Sequence, residues 1–125
     1  MNGISFTFLI TAAVCALIGM AWGIQMSATG DHGMAPAHAH LNLLGWVSLA
    51  IFAFYYHLVP GAADGMLAKV HLAVSVAGVV TIVPGIAFAI QESGETLAKI
   101  GSVLTLLSMV IFVVVLITSG RSVAV

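Results

Sequence analysis

The residues best able to do chemistry in this chain are its histidines. There are five, at positions 32, 38, 40, 57 and 71, against four acidic and three basic residues in 125. His32, His38 and His40 fall in one short stretch with Asp31 and Met34, and Met26 lies just before it. Neutral imidazole is a ligand for copper, zinc or heme iron, and a thioether adds a preference for Cu(I). His32, Met34, His38 and His40 are therefore the candidate metal ligands. Their spacing matches no closed zinc motif. No Ser-His-Asp constellation and no phosphate-binding loop accompanies them, and every carboxylate lies near a loop.

The elements that must hold these side chains follow from composition. Hydrophobic residues make up 62% of the chain and charged residues 6%, where an ordinary soluble domain carries about 25% charged residues. Too few polar groups exist to cover a water-soluble globule, and a disordered chain would need the opposite balance. A formal net charge of -1 leaves no basic patch for a nucleic-acid backbone. The expected solvent is lipid.

The charges sit at Asp31, at Asp64 and Lys69, at Glu92, Glu95 and Lys99, and at Arg121. They leave four apolar runs, about Ile4–Met26, Pro36–Val59, Met66–Ile90 and Leu97–Ser119, with Lys69 and Lys99 close to the starts of the last two, each near the roughly 20 residues that cross a bilayer. Lipid offers no hydrogen bonds to the backbone, so each run should be a helix. Pro60-Gly61 and Ser93-Gly94 are turn signals between runs, and short loops make neighbours antiparallel. The expected fold is an all-α membrane protein, a single up-down bundle of four transmembrane helices over residues 1–125.

The first run begins without Lys or Arg and is too long for a signal h-region of about 7–15 residues, so it reads as a retained helix. Cys15 within it has no partner for a disulfide and reads as a small buried hydrophobe. Gly19 and Gly23 form a GxxxG that lets helices approach closely. Pro84-Gly85 predicts a kink or a local break in the third span. With both termini cytoplasmic, Lys69 and Arg121 lie inside and only Lys99 outside, which satisfies the positive-inside rule. The loop with Asp31 and His32 then faces outward.

This layout sorts the histidines by depth. His32, His38 and His40 belong to the outer loop and the first turns of the second span. His57 and His71 lie near the inner face, at similar depth because the second and third spans are antiparallel. His38 and His40 are about 200° apart around a helix, so they cannot share one face. His40 and His57 are about 26 Å apart along the axis and cannot share one ion. An intramembrane ionisable residue is by default functional, and this favours His40, expected to be buried beside Asn42. His57, next to Tyr55 and Tyr56, reads as part of an interfacial belt. His71 lies two residues from Lys69 and reads equally as interfacial or functional.

The stretch His38-Ala39-His40-Leu41-Asn42-Leu43-Leu44-Gly45-Trp46, continuing through Tyr55-Tyr56 to Pro60, resembles the second transmembrane helix of the catalytic subunit (subunit I) of heme-copper oxidases and nitric oxide reductases. In that family a His in a His-x-Asn pattern near the outer face is an axial ligand of the low-spin heme. The matching position here is His40, with Asn42 two residues on. The likeness covers about one helix. The family's subunit has about twelve spans, and its second heme ligand, proximal His and copper-binding His cluster come from later helices that have no counterpart here. A complete oxygen-reducing site is therefore not encoded in one chain.

The family fold consists of three arcs of four helices around a pseudo-threefold axis, so the resemblance implies that this chain forms a homotrimer of the same layout. It also implies heme b or copper as cofactor, His40 as iron ligand with His71, His38 or another subunit supplying the second, and a place in a bacterial inner membrane. The functions that follow are electron transfer or gas binding. Two others stand beside them: copper or zinc binding and delivery through His32, Met34, His38 and His40, and a non-catalytic accessory role among respiratory-chain subunits. Transport would rest on a broken helix at Pro84-Gly85 alone, without inverted repeats.

Overall fold

A computed structural model describes residues 1–120. Arg121, one of the charges that set the expected orientation, lies outside the described residues. Four helices are long and apolar enough to cross a membrane: Gly3–Thr29, Ala35–Leu58, Met66–Ile90 and Thr96–Ser119. They are called here the first to fourth spans. The expected runs differ from them by at most three residues at any end. A single helical turn, Pro60–Ala63, caps the connection between the second and third spans.

Both ends of the first span are set locally. The Asn2 side chain accepts a hydrogen bond from the Ser5 amide (2.7 Å), an N-cap, and its amide nitrogen donates to the Tyr56 carbonyl (2.9 Å). One residue thus closes the first helix and ties it to the far end of the second. Gly30 ends the helix at φ 70°, a left-handed C-cap. Large apolar side chains cover the outside, among them Leu17, Met20, Ile24 and Leu106, each about two-thirds exposed. That surface suits hydrocarbon.

Consecutive spans pack as antiparallel neighbours, while the first and fourth hardly touch along their backbones. The tightest seam joins the third and fourth spans. A Cβ at Gly101 would sit 2.5 Å from the Ile82 backbone, and one at Gly85 would sit 2.5 Å from the Ala98 amide nitrogen. Helices in lipid gain no hydrophobic drive for association, so contact depends on such close approach. The Gly19–Gly23 pair works inside the chain in the same way. Its two glycines leave room for Asn42 and His38 of the second span.

Two features depart from the expected helices. The third span is helical without interruption through Pro84. Pro84 removes one backbone donor, yet the close seam beside Gly85 holds the helix together. With no break there, the support for a transport reading is gone. The second span is not a uniform α-helix: residues Leu41–Ser48 form a π-helix between two α segments. π-helical geometry is rare and occurs mostly at functional sites. Here it covers Leu41–Trp46 of the His38–Trp46 stretch that opens the oxidase resemblance.

The glycine seam makes a direct prediction. Gly101→Val should lower the melting temperature in detergent strongly, by an overpacking cost of about 1–3 kcal/mol. Gly61→Ala, at a position with open space around it, should leave melting unchanged. Equal effects of the two would contradict the close third–fourth seam.

Candidate functional site

The chain carries two separate histidine sites, one at each end. At the His-rich end, His38 points inward. Its Nε2 lies 2.8 Å from the Gly19 carbonyl, and its ring meets the Trp22 ring edge-on at 5.9 Å. A carbonyl only accepts, so Nε2 carries the proton and Nδ1 keeps its lone pair. Asn42, one turn on, donates to the His38 carbonyl at 2.9 Å.

His40 points the other way. It is half-buried rather than buried, and Asn42 does not pack on it. The reason is helical spacing. Asn42 is four residues from His38 and shares its face, but lies two residues from His40, on the opposite face. The Nδ1 of His40 lies 2.7 Å from the Pro36 carbonyl. That nitrogen must be the donor, and Nε2 is left as a free acceptor.

His32 is exposed in the loop, with Nδ1 3.1 Å from the Gly30 carbonyl. Met34 is half-buried at the start of the second span. All three histidines of this end therefore have one ring nitrogen fixed on a backbone carbonyl and the other available. Metal-ligating histidines are oriented by this kind of second hydrogen bond. The side chains do not converge, however. Among the described residues, no group of three or more His, Cys, Asp or Glu is placed to hold a metal ion.

The other end is built differently. His71 is fully buried. Its Nδ1 shares a 2.9 Å hydrogen bond with the Tyr56 hydroxyl. Four rings surround it: Phe52 at 4.6 Å, Phe8 at 5.2 Å, and Tyr56 and Phe112 at 5.8 Å, with Phe112 nearly parallel to the imidazole. Each of the four spans contributes to this cage. The Nε2 atom has no hydrogen-bond partner, although the main chain of Ser108 lies close enough to interact with the ring. Along the second span, Tyr56 is about 24 Å from His40. His40 and His71 of one chain cannot ligate the same iron.

His57, one residue beyond the cage, is exposed. Its neighbours do not join it in a belt. Tyr56 is fully buried, and the hydroxyl of half-buried Tyr55 meets Ser119 at 2.8 Å. Sequence reasoning missed Tyr56 as the partner of His71. The shared depth of positions 57 and 71 was a usable signal, because it brings Tyr56 to the same level. Missed as well was the Ser75–Ser108 pair, linked at 2.6 Å in the core. No feature of the linear sequence couples those two serines.

Comparison of the chain with family models, with curated proteins and with solved structures returned no match.

The cage predicts a specific stability pattern. Tyr56→Phe strips the hydroxyl partner from Nδ1 of a buried imidazole and should cost about 1–3 kcal/mol. Adding His71→Phe removes the stranded polar atoms and should restore much of that loss. Thermal unfolding of the single and double variants in detergent checks this. A double variant as unstable as the sum of the singles would contradict the pairing.

Proposed function

We propose that this chain is an integral membrane subunit of a homo-oligomer that binds heme or a transition metal through its outer-face histidines, in electron transfer or gas binding. The observation that carries the reading is the anchoring of His40. A backbone carbonyl holds its Nδ1, which leaves the lone pair on Nε2, and the residue is half-buried. One such imidazole per chain fits one ligand per chain. Further copies would complete a coordination sphere, since among the described residues no group of three or more His, Cys, Asp or Glu is gathered in one chain.

The resemblance to heme-copper oxidase subunit I supplies the assembly. Three copies would recreate its three arcs of four helices and set three His40 residues at equal depth. The limited contact between the first and fourth spans suits an open arc that other copies complete. In this reading heme b is the favoured group, His40 holds its iron, and the bound heme supplies the redox or gas-binding chemistry. The chain itself orients the imidazole and shields the site from water. His38 supports the same end by tying the second span to the first. The membrane is a bacterial inner membrane, with the termini cytoplasmic and the His-rich loop outside.

Copper in place of heme is the second reading. It is favoured by the accessibility of His32 and by Met34, whose thioether suits Cu(I). Respiratory-chain partners with no bound cofactor remain the third.

Purification in detergent with heme supplementation separates these. The expected outcome is a Soret band and iron near one heme per oligomer, with the band lost in His40→Ala and retained in His57→Ala. Copper without a Soret band selects the second reading. No metal and no absorption after heme supplementation overturns both. A native mass corresponding to a monomer or dimer overturns the trimer.

A further inference from the structure

A cavity of about 20 Å³ lies between the second, third and fourth spans. It is lined by four hydroxyl-bearing residues, Ser48, Ser75, Thr105 and Ser108, with Phe52 and Met109 among the apolar walls. Ser75 and Ser108 are 2% and 5% exposed and lie deepest. Ser48 and Thr105 are half-buried at the rim. The volume is that of one water, since about 10–15 Å³ suffices to hold one.

The hydrogen bonds determine what such a site accepts. A hydroxyl has one proton and two lone pairs. Ser48 donates its proton to the Leu43 carbonyl (2.8 Å), and Thr105 donates to the Ser102 carbonyl (3.1 Å). Ser75 donates to the His71 carbonyl (2.6 Å). Ser108 meets the Ser75 oxygen at 2.6 Å. The Ser75 proton is already committed, so Ser108 must be the donor in that pair. All four protons are spent within the protein. What remains around the cavity is lone pairs.

We propose that this cavity binds one water molecule, which donates its two protons across the gap between the second span and the Ser75–Ser108 pair. An acceptor-only lining selects a hydrogen-bond donor. A bare cation would meet the same oxygens, but no carboxylate lines the site, and a desolvated charge without a counter-charge is costly in the membrane interior. The site borders the end of the π-helix, where Ser48 bonds five residues back to Leu43. Inserted water is a recognised cause of local departure from the α-helical ladder. The water therefore bridges the irregular segment of the second span to the third and fourth spans, and fixes the register from which His38 and His40 project. This inference does not depend on heme or metal binding.

Infrared difference spectra of the detergent-purified chain in H2-16O and H2-18O test the proposal directly. The expected result is a discrete O–H stretch that shifts with the oxygen isotope and disappears in Ser108→Ala. Its absence in the unmodified chain overturns the proposal. A second measurement takes the two sides of the bridge together. Ser48→Ala and Ser108→Ala share no direct hydrogen bond, so without an occupant their effects on melting temperature should add. A bridging water makes them non-additive, and the double variant should fall no further than the worse single. Strict additivity overturns the bridge. A melting temperature that rises when sodium or potassium replaces choline at constant ionic strength overturns water in favour of a cation.

Discussion

The ring cage around His71 is the constraint on which the rest of the structure depends. It takes Phe8 from the first span, Phe52 and Tyr56 from the second, His71 from the third and Phe112 from the fourth. In lipid, apolar burial does not by itself draw helices together, so association must come from dispersion and from polar groups without other partners. The cage supplies both. Its rings offer large contact surfaces in tilted and stacked arrangements. Its one hydrogen bond, Tyr56 to His71, pairs two groups that would each be costly to leave bare. The rings also fill space. In this half of the molecule the backbones of the second and third spans are held apart, whereas toward the His-rich end they come into close contact.

That difference gives the two ends their characters. Glycine and alanine seams close the His-rich end and the third–fourth interface, so side chains there are displayed outward or laid into glycine notches. His38 occupies such a notch over Gly23, and Asn42 the one over Gly19. His40, on the opposite face, is half-buried and held by the Pro36 carbonyl. The aromatic end has no notch and no room, and its histidine is enclosed. A ligand role suits the first environment and a packing role the second, although both residues are intramembrane histidines by position. The π-helix lies between the two ends.

How much of this was legible in the sequence varies with the range of the interactions. Span number and limits were readable because lipid penalises charge and unpaired backbone groups locally, so the four acids mark the loops and Lys69 and Lys99 fall in the first turns of their helices. The opposite faces of His38 and His40 were readable from helical geometry. The placement of Asn42 was misread, because adjacency in sequence was taken for adjacency in space. Of the kink or break expected at Pro84, the break is absent: the helix runs on through the proline, beside a tight seam with the fourth span. The π-helix had no local signal.

The sequence by itself determined a four-span membrane protein with histidines at both ends, since hydropathy and charge act through each segment's own contact with solvent. Tertiary structure decided which histidine is enclosed and which is offered. Burial of His71 needs four rings from three other helices, and the freedom of His40 needs their absence. Such properties arise from side chains far apart in the chain, and only their packing brings them together.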